Sequence, residues 1–156
     1  MATQLTLKEV LQQAIEKEIG AQQLYGDLVR RVTSQIAKDT FQELVRQEHG
    51  HQVLLERYLH GELKAGALNT RQVIDYKIAE NFEPTEITPD MPLKDIFLRA
   101  ANREKTAHES YLALSQAHPP GEVKKLLEEL ASQELGHKHK LEFLYTEVAF
   151  PQTAGG

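Results

Sequence analysis

LVRQEHGHQVLL (residues 44–55) and LASQELGHKHKL (residues 130–141) carry the same Glu-x-x-His signature, Glu48–His51 in one and Glu134–His137 in the other. The second copy lies 86 positions after the first (134−48, 137−51). The same offset relates Glu18 to Glu104 and Tyr25 to Tyr111 (104−18, 111−25), so each half reads E-x6-Y and then E-x2-H. Two copies of a helix pair, with a carboxylate on one helix and Glu-x-x-His on the next, supply four carboxylates and two imidazoles. That is a donor set for two metal ions in the core of a four-helix bundle.

Working outward, the apolar periodicity predicts four long helices. Thr6 followed by Glu9 reads as a capping box for the first. Leu7, Leu11, Ala14, Glu18, Ala21, Tyr25, Leu28 and Val32 then fall on one face at alternating spacings of four and three. The second helix is expected from near Ser34 to near His60, stopped by Gly61, with Ala37, Phe41, Leu44, Glu48, His51, Leu55 and Tyr58 on its seam. The third, about Pro92 to Ala117, and the fourth, about Pro120 to Val148, repeat the first and second. Residues 62–90 form one long crossover, broken by prolines, in which residues 71–80 can make a short amphipathic helix. The reading is therefore all-α, a single bundle over residues 1–150 with a two-fold internal repeat and a flexible tail at 151–156. Gly50 and Gly136 also correspond across the repeat, inside helices where glycine costs about 1 kcal/mol relative to alanine. Close approach of helices beside the site is the expected reason.

A single glutamate on an apolar seam usually reaches for solvent, and a lone seam histidine is more often a hydrogen-bonded core residue than a ligand. Four seam glutamates in register are different. Ionised carboxylates converging in a core repel, and each bears several kcal/mol of desolvation cost. Without counter-charge they must take up protons. Lys17 and Arg103, next in sequence to Glu18 and Glu104, lie about 100° around the helix and off the seam. Two divalent ions balance the four charges. The carboxylate-rich, imidazole-containing set suits iron or manganese, with zinc as a non-native occupant. Tyr25 and Tyr111, two turns beyond Glu18 and Glu104, are too distant to bind the same ion and are expected to orient a ligand carboxylate from another helix. His49 and His139 point off the seam, His108 approaches its edge, and His60 and His118 sit at helix ends. Glu109 and Glu142 are expected in solvent.

Composition narrows the classes. The chain has 156 residues, 40% hydrophobic and 26% charged, which suits one soluble domain. A formal charge of −5 offers no electrostatic reason for nucleic acid or an anionic membrane as partner. With no cysteine, these residues hold no disulfide, zinc–thiolate site or iron–sulfur centre. Neither a secretory signal nor an apolar run of membrane-spanning length is visible, so the expected location is cytoplasmic.

Duplicated E-x6-Y and E-x2-H on a bundle with one long crossover resembles the rubrerythrin branch of the ferritin-like superfamily. The resemblance spans nearly the whole chain. It implies a non-haem di-iron or di-manganese site with Glu18, Glu48, His51, Glu104, Glu134 and His137 as ligands, Glu48 and Glu134 bridging ions about 3–4 Å apart. It further implies a peroxidase, in which hydrogen peroxide (or dioxygen) takes electrons that an external donor such as a rubredoxin-like protein restores. The expected assembly is a homodimer. Rubrerythrins usually also carry a rubredoxin domain and an extra glutamate one turn after the third-helix ligand, where this chain has Ala107. The site is thus closer to the symmetric, erythrin-like or bacterioferritin-like arrangement, and the alternative role is oxidation of Fe(II) for storage or delivery.

Overall fold

The computed structural model describes residues 7–61 and 86–150. They form four α-helices, α1 (Leu7–Arg31), α2 (Gln35–Leu59), α3 (Leu93–Gln116) and α4 (Glu122–Ala149), and no strand among the described residues. The all-α class with four long helices is therefore the one observed. The chain divides into two compact units, residues 1–64 and 65–156. Each contains one helix pair, α1 with α2 and α3 with α4.

In the first unit, residues 32–34 reverse the chain. Ser34 has extended backbone and its hydroxyl accepts a hydrogen bond from the Ala37 N–H at 3.3 Å, satisfying one of the orphan donors at the start of α2. At the other end His60 is the last cap residue and Gly61 takes φ +74°, a left-handed conformation that costs glycine no Cβ clash. The buried stripe is Leu11, Ala14, Tyr25 and Leu28 against Ala37, Phe41, Leu44 and Leu55. Tyr25 and Phe41 stack across the pair, ring centroids 5.8 Å apart at 16°. Full burial of each large side chain contributes about 1.5–3 kcal/mol.

The second unit repeats this scheme with a longer reversal. Pro92 precedes α3 and its carbonyl accepts from the N–H groups of Asp95 and Ile96. Phe97, Ala100 and Tyr111 bury with Leu127, Leu130 and Leu141. Helix α3 is also covered beyond its seam, since Ile96, Leu98 and Ala101 are buried as well. His118 closes its end by donating from Nδ1 to the Leu114 carbonyl at 2.7 Å.

The helix boundaries agree with expectation to within two residues. Thr6, the amphipathic stretch 71–80 and the tail at 151–156 lie outside the described residues. Gly50 and Gly136 are not explained by close helix approach, because a Cβ built on either meets nothing within 4 Å. Gly50→Ala and Gly136→Ala should therefore each stabilise the protein by about 1 kcal/mol, readable as a rise in denaturation midpoint. A fall in midpoint would show that the glycine backbone itself is needed there. No helix among the described residues is long and apolar enough to cross a membrane.

Candidate metal centre

Each helix pair builds one cluster of three donors. Glu18 projects from the middle of α1, and Glu48 and His51 from one turn of α2, because positions three apart on a helix share a face. Each offers a ligand atom within 4.8 Å of the others. Glu104 on α3 and Glu134 and His137 on α4 do the same in the second unit. All six are buried, at 5% exposure or less.

The imidazoles are oriented alike. His51 Nδ1 lies 3.6 Å from Glu18 Oε1. His137 Nδ1 lies 3.6 Å from both Glu104 Oε2 and Glu134 Oε2. In both units Nδ1 is thus the nitrogen that shares its surroundings with carboxylate oxygens. A cation there would be met by Nδ1, leaving the proton on Nε2.

Electrostatic stress is concentrated in the second triad. Burial pushes the Glu104 carboxyl up to about 8, assisted by the charge of Glu134 and a hydrogen bond with it, and His137 only partly opposes the shift. A dry pocket that drives a carboxyl to hold its proton at neutral pH favours a compensating positive charge. Two carboxylates and one imidazole per triad are hard and borderline donors of the kind that iron, manganese or zinc accept. The residues present fit such an ion.

Tyr25 and Tyr111 are both buried. His49 is exposed and His139 partly so. His108 is partly buried one turn after Glu104, and its Nδ1–H donates to the Ala131 carbonyl of α4 at 2.6 Å, so it ties α3 to α4 beside the triad. Glu109 is exposed, in a 4.0 Å pair with Lys105.

Glu142 corrects the sequence reading. It is fully buried, and Lys138, also buried, places Nζ 3.5 Å from its Oε2. At 100° per residue, Lys138 and Glu142 turn about 40° and 80° away from Glu134, to the flank of α4 that carries Ala131. That flank receives His108 of α3 and is enclosed, so the carboxylate needs the ammonium as counter-charge. The repeat does not mark the pair, because Glu142 stands 86 positions after a half-buried Glu56 (142−56) and Lys138 stands where the first half has Gln52 (138−52).

A family model described as rubrerythrin matches residues 9–145. A solved structure of a hypothetical protein from Pyrococcus furiosus is similar over 96% of this chain and 94% of that one, with a TM-score of 0.69 and 25% identity. No curated protein matches.

Proposed function

The chain belongs to the rubrerythrin family, and on that premise we propose that its two triads together hold a pair of iron ions and that it is a peroxide-reducing oxidoreductase. The observation that carries the reading is the duplicated, buried set of two carboxylates and one Nδ1-facing imidazole. When bound, a ferrous pair supplies the two electrons that, with two protons, convert hydrogen peroxide to two waters. The assignment of Glu48 and Glu134 as shared ligands belongs to the same proposal, as does manganese as an alternative occupant.

What the chain itself contributes is charge, orientation and dryness. Four carboxylates match the charge of two divalent ions, and burial strengthens every electrostatic contact by lowering the local dielectric. His51 and His137 present Nδ1 beside those carboxylates. Glu104 holds a proton at neutral pH in the metal-free protein and must release it to become a ligand. Tyr25 and Tyr111 are proposed to orient ligand carboxylates through their hydroxyls. With no cysteine in the sequence, the iron–sulfur or thiol chemistry of an electron donor must come from outside these residues.

Stopped-flow mixing of anaerobic Fe(II)-loaded protein tests the reading. Oxidation by hydrogen peroxide should be faster than oxidation by dioxygen. Tyr25→Phe and Tyr111→Phe should retain both ions and slow that step by about 10- to 100-fold, the usual effect of removing a group that orients a ligand. Equal or faster reaction with dioxygen, with iron uptake continuing beyond two ions per chain, would instead support the iron-storage role.

A further inference from the structure

Phe41 and Phe97 lie in the core, whereas Phe143 is 49% exposed and Phe150 71% exposed. Both exposed rings belong to one stripe of α4. Phe150 follows Phe143 by seven positions and Gly136 precedes it by seven (150−143, 143−136), so the three are spaced two turns apart on one face. The Phe150 N–H donates to the Thr146 carbonyl at 2.9 Å, which keeps Phe150 in register with the helix it ends. The repeat does not require this stripe. At the same offset in the first half, an exposed Arg57 stands in place of Phe143 and Lys64 in place of Phe150 (143−57, 150−64). Scattered exposed apolar residues are ordinary, but rings spaced along one face mark a surface that another surface covers.

The stripe is complementary to itself when a second copy runs antiparallel. With Phe143 at the two-fold axis, Phe150 of one protomer falls opposite Gly136 of the partner subunit, and the contact occurs twice. Gly136 has room for the ring, because a Cβ built there meets nothing within 4 Å. Charge follows the same axis. Lys140 precedes Phe143 by three positions and Glu147 follows it by four (143−140, 147−143), which puts both on one flank of the stripe. Residues on one flank meet across an antiparallel pair, so Lys140 faces Glu147 of the partner subunit and Glu147 faces the partner subunit's Lys140. Both are exposed, and neither has an oppositely charged residue three or four positions away on α4. A parallel pairing would set glycine on glycine and lysine on lysine.

We propose that the Gly136–Phe143–Phe150 face of α4 is a homodimer seam, on which two copies of the chain pair antiparallel about Phe143. The pairing does not depend on metal. One helix stripe per protomer makes a small interface, so the dimer should dissociate at roughly micromolar concentration.

Sedimentation equilibrium of the full chain at low ionic strength, from about 1 to about 300 μM, reads the association directly. Wild-type protein should pass from monomer to dimer over that range. Phe143→Asp should weaken the dimer at least about thirtyfold, the effect of losing a central aromatic anchor. Lys140→Glu and Glu147→Lys should each weaken it by about tenfold, and the two together should restore it. Circular dichroism checks that the variants are folded, and if Phe143→Asp is not, Phe150→Ser decides in its place. Wild-type protein that stays monomeric overturns the proposal and leaves the stripe to a different protein. A dimer unchanged by folded Phe143→Asp also overturns it, since association then uses another face. Failure of the double charge exchange to restore the dimer overturns the antiparallel pairing.

Discussion

Raising the pH from about 5 to about 8 should cost the metal-free protein on the order of a few kcal/mol of stability. The cause is Glu104, whose carboxyl rises from 4.5 to about 8 in the folded protein. Between those values the folded chain keeps a proton that the unfolded chain releases, so stability falls as pH increases. The contribution is complete below 4.5 and lost as pH passes through 8. Urea denaturation at several pH values reads the effect directly. Glu104→Gln, which keeps the shape and cannot ionise, should flatten the profile and leave the variant more stable than wild type at pH 8. A wild-type profile already flat over this range would contradict the stress assigned to the second triad. Metal should invert the trend, because binding expels the proton and favours higher pH.

The second large effect is stabilisation by metal and its loss in Glu134→Ala. A ligand that binds only the folded state at about a thousand times its dissociation constant adds about 4 kcal/mol. For a chain of this size each kcal/mol raises the melting temperature by roughly 2–4 °C, so loading wild-type protein should raise it by about 10 °C. Removing a group that merely orients a ligand costs about 10- to 100-fold in affinity, so removing the Glu134 carboxylate itself should cost at least about a hundredfold. Most of the metal-induced rise should then disappear at the same metal concentration. The apo variant should melt no lower than apo wild type, since the lost group is a buried charge that also raises Glu104. A large drop in the apo melting temperature would make Glu134 a structural residue.

Much of this was legible in the chain because the chemistry rides on the periodicity. Glu18, Glu48, His51 and their counterparts occupy seam positions, and a seam position is buried wherever the helix packs at all. The caps were legible for a similar reason: Ser34 and Gly61 act through their own backbone and nearest neighbours. Burial of Lys138 and Glu142 is another matter. An i,i+4 Lys–Glu pair reads as a solvated helix face, and only the enclosure of that flank, where His108 reaches Ala131, turns it into a core ion pair. Gly50 and Gly136 mislead in the opposite sense. Their recurrence suggests crowding, which the open space around each denies.

Each donor triad is closed by its own hairpin, and this bears on how the protein is made. Glu18 and His51 are 33 positions apart, as are Glu104 and His137 (51−18, 137−104), so three donors come together through local contacts alone. Contacts of low sequence separation form early and fast. A chain emerging from the ribosome at roughly 5–20 residues per second presents His51 on the order of ten seconds before His137, 86 residues later. For that interval the first hairpin is the complete triad available to an ion. On the proposed metal-binding reading, vectorial synthesis gives the amino-terminal half a head start in acquiring an ion.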